Sequence, residues 1–235
     1  MSDVLEYSIK HHVRARHIKI KINGLGKIQV VAPRGVGSGD IHHFVQSNTD
    51  WIVKTIDKLK DDRINHPNLG SQPPQTIALL SLSKKFSISY LPVVKKAQIE
   101  ENNHELLVYT SSDDESVNLL RSWIQKKAKQ ILIPWLNEIS STHQIEFNKV
   151  SIRGQKTRWG SCSSKKNINL NRNLLFVQPE LVNYLMVHEL SHIIQPNHSK
   201  RFWSQVAQCE PNYRDLDRQL SQSHKTVPLW AYAQV

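Results

Sequence analysis

Apolar and polar positions alternate first at Ile18, Ile20 and Ile22, separated by lysines, which predicts a half-buried strand. Asn23-Gly24-Leu25-Gly26 predicts a turn, and residues 28–32 a returning strand that stops before Pro33-Arg34-Gly35. The pattern then changes period. Ser38 can cap a helix in which Ile41, Phe44 and Val45 share a face, and Ser47 or Asn48 can cap a second stretch that turns Trp51, Ile52, Ile56 and Leu59 inward. A polar, proline-containing connector follows at 61–75, then strand patterns near 76–81, 86–91 and 105–110. From 116 to 139 the spacing predicts a long amphipathic helix with Leu120, Trp123, Ile124, Ile131, Trp135 and Leu136 facing inward, kinked or split at Pro134.

The last hundred residues predict strands at 150–152, 157–162 and 168–171, the last two joined by the polar run 163–167. Pro179 suits the first turn of a helix that is mostly apolar up to Val187, and so is expected to be buried along much of its length. After Pro196-Asn197 a second helix carries Phe202, Trp203, Val206 and Cys209 on one face. The expected fold class is α+β. A β-rich N-terminal region with a helix pair spans 1–112, and a second domain at 113–235 packs a helix pair on a small antiparallel sheet.

Composition narrows the class. The chain has 235 residues, 39% hydrophobic and 22% charged, which suits a globular protein. No run approaches the length of a membrane span and the first residues lack a signal-peptide pattern, so no membrane partner is expected and the cytoplasm is the expected location. Cys162 and Cys209 are the two cysteines, which argues against a disulfide scaffold. A net charge of +11 and a pI near 9.7 would attract polyanions, so a nucleotide or nucleic-acid contact through the basic surface is a candidate interaction. Lysine and arginine are nevertheless spread along the chain, without a stripe interleaved with aromatics.

The chemistry concentrates in His188-Glu189-Leu190-Ser191-His192 and Asn197-His198-Ser199. Two histidines four apart on a helix project from one face, close enough to share a metal ion. Glu189 stands where it could take a proton from a metal-bound water. His198, just beyond the turn, offers a third imidazole. Three side-chain ligands leave zinc an open position, the arrangement of a hydrolase.

Arg158-Trp159-Gly160-Ser161-Cys162, the apolar helix bearing Val187 to His192, and Asn197-His198-Ser199 with Phe202-Trp203 resemble the YgjP-like metallopeptidase family, itself related to the WLM and SprT-like zinc proteases. The likeness extends to Ala32-Pro33, Phe44-Val45, Trp51-Ile52 and Pro211-Asn212-Tyr213. It implies a zincin fold with an antiparallel strand beside the metal helix, one zinc ion on His188, His192 and His198, and Glu189 as catalytic base. The family commonly carries a Leu-Gly pair near residue 80, where this chain reads Leu79-Leu80-Ser81-Leu82, which puts the turn there in question.

The leading expectation is a zinc metallopeptidase that cleaves internal bonds of a protein or peptide substrate, a zinc-bound water attacking with Glu189 as general base. Two other classes stand beside it: a metal-dependent nucleoside triphosphate pyrophosphohydrolase, and a non-catalytic zinc-stabilised binding module. Tyr184, Tyr213, Arg158 and Trp159 are candidates for substrate or oxyanion contacts. Glu210, Asp215 and Asp217 are candidates to orient a ligand imidazole.

Overall fold

The computed structural model describes residues 5–13, 15–22, 28–65 and 72–232, with side chains omitted at 58–65. The turn expected at 23–26 and the side chain of Leu59 lie outside the described residues. The chain divides into two compact units, Met1–Pro67 and Asn68–Val235.

In the first unit, β1 (Tyr7–His11) runs parallel to the central β3 (Ile28–Ala32), and β2 (Lys19–Ile22) runs antiparallel to it on the other side. Ile28, Val30 and Ala32 supply the buried face of β3 and meet Ile41 and Val45 of α1 (Ser38–Gln46) and Ile52 of α2 (Thr49–Asn65). β1 gave no alternation to detect because four of its five residues are exposed. Ser38 opens α1 from inside the helix; Gly37 is the cap residue. Trp51 is a correction: it is 51% exposed and faces away from the core, while its neighbour Ile52 is fully buried. Adjacent helical positions lie about 100° apart, so on a helix covered along one side a single step can carry a side chain from the core to solvent.

The second unit begins with the sheet β4-β5-β7-β6, made of β4 (Thr76–Leu79), β5 (Lys84–Pro92), β6 (Gln98–Asn102) and β7 (Glu105–Thr110). Its inner residues Ile77, Phe86, Ile88, Leu106 and Val108 share one hydrophobic core with α3 (Asp113–His143) and everything that follows. The division therefore falls at Pro67/Asn68, inside the polar connector, and not at 112/113. A half-exposed sheet must bury its apolar face, and α3 covers it.

At the site of the sequence departure, β4 passes into a 3-10 turn over Leu80–Leu82, closed by Ser83 in the left-handed region (φ 50°). Ser81 is buried, and its hydroxyl donates to the Leu175 carbonyl at 3.2 Å. α3 is capped by Ser112, whose hydroxyl accepts from the Glu115 N–H. The helix runs unbroken through Pro134, so the expected split does not occur; Leu132 and Leu136, both fully buried, hold the turns on either side against the core.

The last layer is the sheet β8-β10-β9, with β8 (Lys149–Arg153), β9 (Gly160–Cys162) and the central β10 (Asn167–Asn171). β9 pairs antiparallel with β10, but β8 pairs parallel, so the sheet is mixed where an antiparallel one was expected. The cause is the crossover from β8 to the far side of β10, followed by a hairpin back. α4 (Pro179–Ile194), α5 (Lys200–Cys209) and α6 (Tyr213–Gln222) complete the unit. No helix among the described residues is long and apolar enough to cross a membrane.

Candidate metal centre

α4 opens with Pro179 at its first turn and buries Leu181, Val182, Leu185, Met186 and Leu190. That burial fixes the rotation of the helix and turns His188 and His192 toward α5. The chain leaves α4 at Gln195, turns through Pro196-Asn197, and re-enters helix at Ser199, whose hydroxyl accepts from the Phe202 N–H at 3.4 Å. His198 immediately precedes this cap, so the start of α5 carries it back over α4.

The ligand atoms of His188, His192 and His198 lie within 4.8 Å of one another. The Nε2 atoms of His188 and His198 are 3.0 Å apart. Nitrogens held about 2.0–2.1 Å from a tetrahedral zinc would be roughly 3.3 Å apart, close to this spacing. In His188 and His192 the second nitrogen is occupied in a way that leaves Nε2 for an ion. His192 Nδ1 lies 3.3 Å from the Gln195 carbonyl. His188 Nδ1 lies 3.3 Å from the Tyr184 hydroxyl, which itself donates to Asp217 at 2.8 Å. Because that hydroxyl spends its proton on Asp217, its oxygen is free to accept Nδ1–H from His188. Burial, then the neighbouring His192 and His198, push His188 down to about 3. Burial also lowers His192. Neutral imidazoles are the form that binds metal.

Aromatic rings brace the cluster. His192 stacks on the fully buried Phe202 at 4.5 Å, and His198 stacks on Trp203 at 5.5 Å, which stacks in turn on Tyr213 at 5.3 Å. His198 is exposed, so the cluster opens to solvent on its side.

Glu189, the neighbour of His188 on α4, packs against β9. It is 5% exposed, and a Cβ built on Gly160 would lie 2.5 Å from its Oε1. Its Oε2 is buried with no protein partner. Burial pushes its carboxyl up to about 8, opposed by the charge of Arg158. A buried carboxylate oxygen without a donor is costly unless a water or cation completes it. Together with the three imidazoles, this orphaned oxygen fits a site built for a divalent metal and a water.

The other sequence candidates separate. Arg158 is exposed and within electrostatic reach of Glu189. Trp159 is buried, donates from Nε1 to the Leu220 carbonyl at 3.1 Å and stacks on His224, so it is core and not a groove wall. Tyr184 is fully buried, with its hydroxyl committed to Asp217 and His188. The Tyr213 hydroxyl accepts from Arg214 Nε. Of the three acids, Asp217 reaches His188 through Tyr184, Asp215 pairs with Arg218, and Glu210 accepts from the Asn212 N–H.

Sequence reasoning assigned no role to Gly160 or to Asn171. The buried Asn171 side chain donates to the Gln155 and Arg158 carbonyls at 2.7 and 2.9 Å and accepts from the Asn173 N–H. It thereby holds the loop that delivers β9 to Glu189. β10 reads Asn167-Ile168-Asn169-Leu170-Asn171, so alternation groups Asn171 with the two less buried asparagines and gives no signal of its burial.

The family model for the YgjP-like metallopeptidase domain matches residues 16–223. The crystal structure of the metallopeptidase zymogen abylysin from Pyrococcus abyssi is 24% identical, with a TM-score of 0.36, over 39% of this chain and 94% of that one. The jannalysin zymogen from Methanocaldococcus jannaschii is also 24% identical, with a TM-score of 0.35, over 39% and 88%. No curated protein matches the chain. The assignment is carried by the family match, which takes in most of both units and the whole histidine cluster: the chain belongs to the YgjP-like metallopeptidase family.

Proposed function

We propose that this protein is a zinc peptidase that hydrolyses internal peptide bonds, with His188, His192 and His198 as the metal ligands and Glu189 as general base. The observation that carries this reading is the orphaned Oε2 of a buried Glu189 beside three histidines whose ligand atoms converge. Zinc bound there supplies Lewis acidity, lowering the pKa of a water towards about 7 and polarising a carbonyl.

The chain's own residues do the rest. Glu189 accepts the proton of the attacking water at Oε2 and returns it to the leaving amine. A carboxyl lifted toward neutrality is suited to both halves of that exchange. Arg158, exposed near Glu189, is the residue we assign to the developing negative charge on the substrate. β9 is the terminal strand of its sheet, and an extended peptide laid along that edge would pass the acid.

The test is metal analysis of the purified protein, with casein cleavage by wild type and Glu189→Gln. Stoichiometric zinc in both, with cleavage lowered about 10²-fold or more in the variant, is the expected result. Glu189-dependent phosphate release from nucleotides without peptide cleavage would replace this reading, and equal behaviour of both proteins on every substrate would mean a binding module.

A further inference from the structure

One stripe of α3 forms the wall of a cavity of about 470 Å³ that shares no residue with the histidine cluster. The stripe contributes Asn118, Arg121, Lys126 and Lys129, and Arg172 enters from the turn after β10. No acid lines the cavity. From Arg121 to Lys129 the cations extend roughly 12 Å along the helix.

The two arginines are held in place by the backbone. Arg121 Nε donates to the Trp230 carbonyl at 2.6 Å, and its Nη1 donates to Asn118 Oδ1 at 3.2 Å. Arg172 Nη2 donates to the Ala231 carbonyl at 3.0 Å, while its Nε is buried with no partner. The Arg172 guanidinium lies so close to Gly154 that a Cβ there would meet its Cζ at 3.0 Å. Burial, then the charge of Arg121, lowers the pKa of Arg172. Among the described residues neither guanidinium is in an ion pair. Carbonyls satisfy N–H groups without neutralising charge, and the one acid whose charge reaches either guanidinium, Asp114 near Arg121, stands outside the lining, so the four cations leave the cavity net positive.

We propose that this cavity is a binding site for a multiply charged phosphate group of the diphosphate type. Arg121 and Arg172 present planar forks to phosphoryl oxygens, and the exposed Lys126 and Lys129 offset the remaining charge. A single carboxylate carries too little charge for four cations. A diphosphate concentrates several negative charges on one compact group, on which the long arginine and lysine side chains can converge.

Occupancy would have a structural consequence. The arginines that take the anion also hold the carbonyls of Trp230 and Ala231, so binding fastens the C-terminal turn (Leu229–Ala231) to α3. It requires nothing of the proposed metal centre: Gly154 follows β8, and β8 and β9 lie on opposite sides of β10.

The test is calorimetric titration of the metal-loaded protein with pyrophosphate, against sodium chloride at matched ionic strength. Metal content is followed throughout, because pyrophosphate also chelates. One-to-one binding is expected, with a thermal midpoint that rises with ligand concentration. The surface double variant Lys126→Gln/Lys129→Gln should fold normally and bind at least tenfold more weakly, as should Arg121→Gln. Wild-type affinity in the double variant, which is what binding at the metal centre would give, overturns the assignment, as does the absence of pyrophosphate binding. A nucleoside diphosphate in parallel separates the sources: affinity equal to pyrophosphate means that the free anion suffices, and tighter binding, lost in the double variant, means that the phosphate arrives on a larger molecule.

Discussion

The Cβ that Gly160 lacks would sit 2.5 Å from Glu189 Oε1 and 2.8 Å from its Cγ, so β9 and the proposed catalytic acid occupy one shared space. Any side chain at position 160 must displace the carboxylate, which is buried and has little room to move.

Gly160→Ala is therefore expected to lower casein cleavage about 10²-fold while zinc content stays at the wild-type level, since misplacing a reacting group by about an ångström costs on that order. Activity assay with metal analysis on the same sample checks it. Undiminished cleavage would mean that Glu189 is not held where the chemistry needs it.

The Asp217–Tyr184–His188 chain makes a different prediction. If Tyr184 holds the His188 imidazole with Nε2 toward the ion, Tyr184→Phe and Asp217→Asn should each weaken zinc binding about 10- to 100-fold. Competition with a chelating dye measures it. Asp215→Asn is the control, because Asp215 pairs with the exposed Arg218. Losses no larger than in the control would show that the relay does not orient the ligand.

Cys162 supplies the pH test. Burial, then the charge of Glu189, pushes its thiol up to about 11, so the neutral form prevails at pH 8 and the thiolate fraction rises about tenfold per pH unit up to that value. Iodoacetamide labelling of Cys162, followed by peptide mass spectrometry, should accelerate from pH 8 to pH 10. An ordinary free cysteine, with a pKa near about 8.5, levels off by pH 9.5. A rate for Cys162 that levels off there would show that the thiol is not held in this environment.

Much of the frame could be read from local pattern. The period-2 runs at Ile18–Ile20–Ile22 and 105–110 correspond to β2 and β7, and the apolar spacing around Leu120, Ile124 and Leu136 to α3. Edge strands were not legible: β1 and the mostly exposed β6 are paired through backbone groups, which leave no trace in side-chain polarity. Trp51 misled because residue type suggests burial, and only the orientation of α2 decides which face receives it.

For the candidate site, the sequence by itself determined the donor set. His188 and His192 share a face because a helix repeats every 3.6 residues, and the break at Pro196-Asn197 leaves His198 at the mouth of the next helix. Tertiary structure alone decided what surrounds them. Gly160 and Asp217 are 29 and 28 positions from Glu189 along the chain. What brings them to the site is burial: the apolar stripe of α4 must be covered, and β9 and α6 are the elements that cover it. Local periodicity sets which side chains share a face, and the packing of distant elements sets what that face meets.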